Sequence, residues 1–331
     1  MISDDIREQF SGKRAVVTGG TGLIGRQVVD ILCSAGAIVR IVSLDRLSVN
    51  GKAEHVLGDL TDFGFCREVT RDADFVLHLA GIKGSASVSE THPASHFVPT
   101  IMMNTNVLEA ARLNTVRKVV YTSSIGAYTS TDVFREDDYR IDSNPMDFAG
   151  WAKRMAELQI HAYHQQYHLD NMAIVRPSNV YGPGDNFDPE NAMVIPSLMS
   201  RIHRQESPLV VWGDGSAIRD FVFSRDIAEG IILALHHGTQ ARFVNLGSGQ
   251  GVSIKELLES LQSFLDFSYV FDVTKPAGYP KRVMDTTLAK SLIGWEASTP
   301  LAVGLKETWQ WFIDNQDEYL NRKNYFIQER Q

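Results

Sequence analysis

Three glycines near the start of the chain have the spacing of a dinucleotide-binding turn. Gly19, Gly22 and Gly25 follow the apolar residues 15–17 at intervals of three. In such a turn the first glycine permits the bend off a strand, the second lets the backbone approach a pyrophosphate, and the third lets a helix pack against the sheet. The first helical N–H groups then face the phosphates. We therefore predict a cofactor-binding turn built on Gly19, Gly22, Leu23, Ile24 and Gly25.

The charges after the second predicted strand bear on the choice of nicotinamide cofactor. A carboxylate at this place binds the ribose 2′-hydroxyl of NAD, whereas an arginine accommodates the 2′-phosphate of NADP. The chain has both, as Asp45 and Arg46. Asp45 favours NAD and Arg46 leaves NADP open, and both residues are also compatible with ordinary solvated loop charges.

Small residues end the fourth predicted strand. Leu79, Ala80 and Gly81 leave room for a cofactor to pass close to the backbone, and Lys83 can reach the ribose next to the nicotinamide. The alternative is that Ala80 and Gly81 only make a tight turn from strand to loop. The glycine turn upstream favours the cofactor interpretation.

The elements that position these residues alternate between apolar strands and helical stretches from residue 14 to about 175. This rhythm predicts an α/β fold with a doubly wound parallel sheet (Rossmann), whose strand ends lie along one edge where a ligand binds. After residue 180 the pattern changes, with a helix from about Ile195, a strand at 209–211 and helices near 226–238, 253–266 and 301–321. We predict a Rossmann domain over residues 1–179 and a smaller α/β substrate domain over 180–331, some of whose elements return to the first sheet.

Bulk properties exclude several classes of function. The chain has 331 residues, a net charge of −8 and 44% hydrophobic residues, which is ordinary for a globular protein without a nucleic-acid partner. The N-terminal residues are polar and no long apolar run follows, so we expect a cytoplasmic protein that does not bind membranes. Cys33 and Cys66 are the only cysteines and the ten histidines are scattered, so neither a disulfide nor a metal site is predicted.

Eight segments in order resemble the extended short-chain dehydrogenase/reductases, in particular the nucleotide-sugar epimerase/dehydratase group. They are TGGTGLIG, GDLTD, HLAGIK, TSSIGAY, GWAK, RPSNVYGPGDNF, WGDGSAIRDFVF and KPAGYPKRVMD. The last three are most similar to the branch that handles GDP-linked sugars, including GDP-fucose synthases. The resemblance spans nearly the whole chain and implies a nicotinamide cofactor, a nucleotide-diphosphate sugar as substrate and a role in surface-polysaccharide or deoxysugar biosynthesis.

The resemblance also implies particular binding residues. For the cofactor these are Asp59, Leu60, Ser123, Lys153 and Pro177, in addition to the residues named above. For the sugar nucleotide they are Ser124, Asn179, Asn191, Arg201, Trp212, Arg219 and Arg282. Arginines suit a diphosphate because their guanidinium groups match its oxygens. The alternative for each arginine is a surface ion pair, for Arg176 a structural ion pair, and for Trp212 a place in the core.

The catalytic group departs from the family pattern at one position. The family assists hydride transfer with a serine or threonine, a tyrosine base and a lysine that lowers the tyrosine pKa. Ser124 and Lys153 match, but the tyrosine position is Ala149. An engineered knockout, a natural branch with another base, and a binding protein without turnover are three explanations. We favour the natural branch, with Ser124, a water near Lys153, or Tyr128 as the replacement; the alternative for Tyr128 is a core aromatic.

A second departure narrows the reaction. GDP-fucose synthases epimerise two carbons with a cysteine and a histidine, and the matching positions are Gly126 and Met193, which cannot move protons. We therefore predict an oxidoreductase acting at C4 of a nucleotide-diphosphate sugar, GDP-linked by resemblance. The alternatives are an NDP-hexose 4-epimerase and a non-catalytic cofactor- and sugar-binding protein. The resemblance further implies a homodimer through helices around 100–113 and 151–168.

Overall fold

The computed structural model describes residues 2–82, 91–188 and 191–320. Its central sheet has seven parallel strands. They are β1 (Arg14–Thr18), β2 (Ile38–Ser43), β3 (Glu54–Leu57), β4 (Phe75–His78), β5 (Lys118–Thr122), β7 (Met172–Pro177) and β12 (Phe243–Leu246). The spatial order is β3-β2-β1-β4-β5-β7-β12, and every neighbouring pair is parallel. This order confirms the predicted doubly wound sheet.

Helices cover both faces of this sheet and extend into the C-terminal half. They are α1 (Asp4–Glu8), α2 (Leu23–Ser34), α3 (Phe63–Val69), α4 (Pro93–Leu113), α5 (Phe148–Tyr167), α6 (Val194–His203), α7 (Ser224–His237), α8 (Ile254–Gln262), α9 (Thr287–Ile293), α10 (Leu301–Asp314) and α11 (Gln316–Leu320). Short 3₁₀ turns occupy Ile125–Ala127 and Glu136–Asp138. No helix in the described ranges combines the length and apolar character needed to span a bilayer.

The strands contribute alternate side chains to two cores because successive residues of a strand point to opposite faces. In β1, Ala15 and Val17 pack in the core under α2, α7 and α9, whereas Val16 packs in the core under α3, α4 and α5. Both sets are almost completely buried. Burial on both faces explains why these strands are continuous apolar runs.

The C-terminal half has its own apolar core between α6, α8 and α10. Three small sheets accompany it. One has four strands, β6 (Val133–Phe134), β10 (Ile218–Arg219), β13 (Val252–Ser253) and β15 (Lys281–Met284), and two have a pair each, β8 (Asn179–Tyr181) with β11 (Phe221–Phe223) and β9 (Leu209–Trp212) with β14 (Tyr269–Asp272). The division of the chain at residue 180 stays a prediction.

Several predicted elements differ from those observed. The apolar run 172–180 is two strands, because Pro177 has no N–H and the chain leaves the main sheet after it, so β8 pairs with β11. The strand at 243–246, by contrast, agrees with the prediction that some elements after residue 180 return to the first sheet, since it forms the edge strand β12. The helix predicted over 301–321 is interrupted at Asn315, whose φ of −125° and ψ of 33° are not helical.

Candidate functional site

A cavity of about 930 Å³ runs along the carboxyl edge of the main sheet. Loops after six strands of the main sheet, together with α4, α5, α6 and the C-terminal helices, form its wall. The structure brings together there the following predicted site residues: Gly19, Gly22, Leu23, Ile24, Gly25, Asp45, Asp59, Leu60, Leu79, Ala80, Gly81, Ser123, Ser124, Lys153, Pro177, Asn179, Asn191 and Arg282. Lys83, predicted to reach the ribose, lies outside the described residues.

The glycine turn has the close packing that a dinucleotide needs. Gly19 has a φ of +68°, and a Cβ there would lie 2.9 Å from the Cα of Ala80. A Cβ on Gly25 would lie 2.1 Å from the carbonyl oxygen of Gly19, so α2 packs directly on the turn. Gly22 is the N-cap of α2 and has no side chain to cap the helix. The first amides of α2 are therefore available to an anion, and the turn fits a dinucleotide pyrophosphate.

The two charges after β2 occupy different environments. Asp45 lines the cavity and accepts a hydrogen bond from the Thr21 hydroxyl at 3.2 Å. Arg46 is exposed and is not part of the cavity wall. Next to them, the Asp59 carboxylate holds its own turn by accepting the Thr61 N–H at 2.9 Å, and Leu60 is buried. The carboxylate, not the guanidinium, is thus the charge that faces the cavity.

Lys153 presents its amine where the cavity meets the ends of β4 and β5. Its Nζ donates to the carbonyl oxygen of Thr122 at 2.8 Å, and a Cβ on Gly81 would lie 3.2 Å from it. Burial lowers the pKa of this amine to about 8, while the Glu157 carboxylate acts in the opposite direction. An amine with this pKa exchanges its proton close to neutral pH.

The two serines after β5 have different partners. Ser124 lines the cavity and its Oγ accepts the N–H of Gly126 at 3.1 Å, which leaves its own proton available to a ligand. Ser123 donates to Glu157 at 2.5 Å. Glu157 in turn accepts two hydrogen bonds from Arg176, at 2.8 and 2.5 Å. Arg176 is completely buried, so the structure gives it the structural ion pair considered as its alternative.

Tyr128 is not positioned for the catalytic role suggested for it. It is 4% exposed, its hydroxyl donates to the side-chain oxygen of Asn245 at 2.8 Å, and it is not part of the cavity wall. Its ring packs against Phe134 and Phe243. Burial raises the pKa of this phenol well above its ordinary value. The placement agrees with the alternative of a core aromatic, and we leave Tyr128 out of the catalytic group.

Two of the three predicted diphosphate arginines lie side by side. Arg219 and Arg282 are register partners in the parallel pair β10–β15. Arg282 lines the cavity with its guanidinium 3.9 Å from the Tyr279 ring centre, and Arg219 stands beside it without reaching the cavity wall. Burial lowers the pKa of both guanidinium groups, and the Arg282 charge lowers the pKa of Arg219 further. In the described part of the chain neither has a carboxylate within ion-pair distance.

Arg201 and Trp212 are not in the cavity, which corrects their predicted roles. Arg201 forms a closed pair with Glu206, donating to both carboxylate oxygens at 2.7 and 2.5 Å. Arg204, one turn further along the chain, lines the cavity instead. Trp212 is 61% exposed because the side chains of β9 alternate between core and solvent.

The structure places the two predicted amide residues, Asn179 and Asn191, on the cavity wall. Asn179 lines the cavity and donates its Nδ2 to the carbonyl oxygen of Asp220 at 3.0 Å. Asn191 is buried in the wall and its backbone N–H is bound by the carbonyl oxygen of Asp188 at 3.0 Å. Both side chains thus belong to the C-terminal side of the cavity, opposite the glycine turn.

Sequence reasoning missed His96 and Asp147, which also line the cavity. His96 belongs to a face of α4, and the helical spacing of 96, 99, 100 and 103 was the available signal. Asp147 is the N-cap of α5 and accepts the N–H of Gly150 at 2.7 Å. Ala149 lies between this cap and Lys153, and its side chain ends at Cβ. Within residues 2–82, 91–188 and 191–320, no cluster of metal-ligating side chains is present.

Comparisons with known proteins show the family of the chain. The NAD dependent epimerase/dehydratase family matches residues 15–247, and the chain belongs to this family. Probable GDP-L-fucose synthase 1 of Oryza sativa subsp. japonica is 32% identical over 317 residues, covering 92% of this chain and 93% of that protein. The predicted resemblance to nucleotide-sugar epimerases and dehydratases is thereby confirmed.

Solved structures show the same architecture. An epimerase from Methanothermobacter thermautotrophicus superimposes with a TM-score of 0.86 at 26% identity, covering 96% of both chains. The protein MoeE5, solved in complex with UDP-glucuronic acid and NAD, has a TM-score of 0.79 at 26% identity and covers 91% of this chain and 99% of its own. The fold is therefore that of the NAD dependent epimerase/dehydratase family.

Proposed function

We propose that this protein is a nicotinamide-dependent oxidoreductase that acts at C4 of a nucleotide-diphosphate sugar, with GDP as the nucleotide. The observation that carries the proposal is the meeting of three features in one cavity. The glycine turn is at one side, the guanidinium of Arg282 at the other, and the Lys153 amine and Ser124 hydroxyl lie on its wall. GDP is favoured by the similarity to the rice GDP-L-fucose synthase homologue.

The glycine turn and the strand ends would hold the cofactor. Its pyrophosphate fits over the first amides of α2, and the Asp45 carboxylate fits the 2′-hydroxyl of an adenosine ribose. Because Arg46 is outside the cavity wall, we propose NAD rather than NADP. When bound, the nicotinamide supplies the acceptor or donor of a hydride.

Arg282 would bind the sugar diphosphate. Its guanidinium lines the cavity and has no carboxylate within ion-pair distance in the described part of the chain, so an anion that approaches it relieves an unpaired positive charge. A guanidinium group matches phosphate oxygens with parallel hydrogen bonds. Arg219 lies behind Arg282, outside the cavity wall, and would act only through its charge. Asn179, which also lines the cavity, is placed to contact the sugar.

Lys153 and Ser124 would act on the sugar hydroxyl. The Lys153 amine, in its protonated form below about pH 8, stabilises negative charge that develops on the oxygen. The Ser124 hydroxyl donates a hydrogen bond to the same oxygen. Lys153 lies about one helix turn after Ala149, where the family tyrosine would stand, and Ser124 lines the same cavity.

A 4-epimerase is a second candidate. It is favoured by the similarity to the UDP-glucose 4-epimerase of Thermotoga maritima, which was solved with UDP-glucose and is 26% identical with a TM-score of 0.80. An epimerase oxidises C4 and then returns the hydride to the opposite face, so it needs the same cavity and the same groups. The two candidates differ in whether the cofactor changes its redox state over a complete turnover.

A product assay distinguishes these functions. Purified protein is incubated with NAD or NADP and with GDP-mannose-type or UDP-glucose-type sugars, while absorbance at 340 nm and sugar products are followed. Net reduction of the cofactor supports the oxidoreductase, and product without net reduction supports the epimerase. Lys153→Met should abolish either activity, whereas the matched control Tyr128→Phe should keep it, because that phenol is outside the cavity. Binding without product in every combination would refute both enzymes and leave a binding protein.

We also propose a homodimer through α4 and α5. Met102 on α4 and Met155 on α5 are 44% and 46% exposed. The same two helices also have apolar residues that are buried in the core of the chain itself, namely Val107, Leu108 and Ile160. Sedimentation of the wild type and of Met102→Glu/Met155→Glu tests this, and a monomeric wild type would refute it.

A further inference from the structure

We propose that His96 is the acid–base residue at the sugar hydroxyl and takes the place of the tyrosine absent at position 149. This inference rests on the proposed function and deepens it. It assigns a catalytic role to a residue of α4, whereas the expected base belongs to α5. Three observations carry it: the level of His96 relative to Ala149, the lack of a protein partner for its ring, and the negative charge beside it.

The packing of α4 against α5 places His96 level with the start of α5. Contacts between the two helices advance together along both: the Phe97 and Phe148 rings are 5.6 Å apart at one end, and Tyr163 donates to Glu109 at 2.5 Å further along. The helices therefore run parallel. His96, next to Phe97, lies at the level of residues 147–149.

Each of the two helices has a row of cavity-lining residues at helical spacing. On α4, His96 is followed by Pro99, Thr100 and Met103 at spacings of three, four and seven residues, and all four line the cavity. On α5, Ala149 and Lys153 line it four residues apart. Ala149 leaves open the volume that a longer side chain would fill, and the His96 ring lies on the wall around that volume.

The ring of His96 is buried but has no protein partner. Its side chain is 4% exposed, and among the described residues neither ring nitrogen takes part in a hydrogen bond. Neither nitrogen is among the enclosed polar atoms of the described residues, so both are open to the cavity, where a ligand can bond to them. The Lys153 amine, by contrast, is already bound to the Thr122 carbonyl.

The charges around His96 keep it neutral and able to accept a proton. Burial lowers the pKa of the imidazole below its ordinary value, and the His92 ring lowers it further. The Asp147 carboxylate acts in the opposite direction and stabilises the imidazolium once it forms. Lys153 and Arg282 are the other charged groups of the wall near the start of α5. A neutral imidazole near pH 7 is a general base, and the imidazolium is the corresponding acid.

The proposed step balances as follows. The O–H bond of the sugar C4 hydroxyl breaks and its proton goes to a ring nitrogen of His96. The C4–H bond breaks with its electron pair, which leaves as hydride to the oxidised nicotinamide, and the carbon–oxygen double bond forms. Ser124 donates a hydrogen bond to the oxygen throughout. In the reverse direction the imidazolium returns the proton.

Kinetics of three variants test the role. His96→Gln should lower kcat by roughly 10²- to 10⁴-fold, the usual contribution of acid–base catalysis, with sugar affinity within about threefold of the wild type. Ala149→Tyr in the His96→Gln background should restore at least about tenfold of the loss, because it returns a phenol next to Lys153. His161→Gln is the matched control, since it removes an exposed histidine of α5 outside the cavity wall and should leave kcat unchanged.

A second readout does not depend on turnover. In ¹⁵N-histidine NMR spectra, the resonance that disappears in His96→Gln should titrate below the ordinary histidine pKa. Its midpoint should fall further in Asp147→Asn, because the stabilising carboxylate is removed while asparagine keeps the helix cap. Binding of the sugar nucleotide should move the same resonance.

The outcomes separate this inference from the proposed function. An active wild type with His96→Gln within threefold of it, or a His96 resonance that ignores the sugar nucleotide, would overturn the role of His96 and leave the proposed function standing. A wild type that converts no sugar would overturn the proposed function and this role together.

Discussion

Replacing Glu157 by glutamine should destabilise the protein by about 3–5 kcal/mol, because it leaves a buried guanidinium without its counter-charge. The Glu157 carboxylate is 5% exposed and Arg176 is not exposed at all. It accepts hydrogen bonds from Arg176 at 2.8 and 2.5 Å and from Ser123 at 2.5 Å. The Glu157 side chain of α5 thus accepts three hydrogen bonds, one from the residue after β5 and two from β7.

The magnitude follows from what glutamine keeps. An amide oxygen in the place of Oε1 still accepts Ser123 and the Nε of Arg176, but the NH₂ group in the place of Oε2 faces the Nη2 of Arg176 and cannot accept. The lost hydrogen bond to a charged group contributes about 1.5–3 kcal/mol, and the buried guanidinium that is left without a counter-charge brings the total to about 3–5 kcal/mol. The double change Glu157→Leu/Arg176→Met removes both charges and should cost much less than the two single changes together.

Equilibrium unfolding in urea measures these costs, with the four proteins of the double-mutant cycle compared at one pH. A second consequence is functional. Because the Glu157 charge raises the pKa of Lys153, its removal should move the high-pH decline in activity below the value of the wild type. A cost under about 1 kcal/mol for Glu157→Gln, or a double variant as unstable as the sum of the singles, would refute the reasoning.

Three further predictions follow from the cavity. Gly25→Ala should abolish cofactor binding, measured by calorimetry, because the new Cβ would lie 2.1 Å from the Gly19 carbonyl oxygen; unchanged affinity would show that α2 can shift without cost. The wild-type kcat/KM should fall as pH rises through about 8, because burial lowers the pKa of Lys153 and the amine loses its proton there; a flat profile to pH 10 would contradict this. Arg282→Met should raise the Kd of a nucleotide-diphosphate sugar roughly tenfold or more, with Arg201→Met as the unaffected control, and equal effects of the two changes would exclude a special role for Arg282.

The parts of the fold that the sequence predicts are those with local signals. The glycine turn, the apolar strands and the helix following Gly22 all have patterns within a dozen residues, and the structure has them where they were expected. The break after Pro177 was missed because strands β7 and β8 are apolar on both sides of it. The sequence predicts that some elements after residue 180 return to the first sheet, but it does not specify which strand does so, because β12 is selected by packing on β7, which is distant in the chain.

The candidate site shows the same limit. Lys153 and Ser124 follow family motifs, and the structure places both on the cavity wall. Arg201 and Arg204 are three residues apart on one helix end, and motif position does not decide which of them turns to the cavity. Glu206, in the loop after α6, pairs with Arg201, whereas Arg204 lines the cavity.

The replacement for the absent phenol illustrates why proximity in sequence is a poor guide to a catalytic group. Tyr128 is four residues from Ser124 and has the right chemistry, but the 3₁₀ turn between them directs its ring into the core, where Asn245 takes the hydroxyl. His96 is 53 residues from Ala149 in the chain, yet the parallel packing of α4 on α5 brings both to one wall of the cavity. A side chain lost from one helix is therefore most simply replaced from the helix packed beside it. That replacement needs no change in the backbone of the glycine turn or in the position of Lys153.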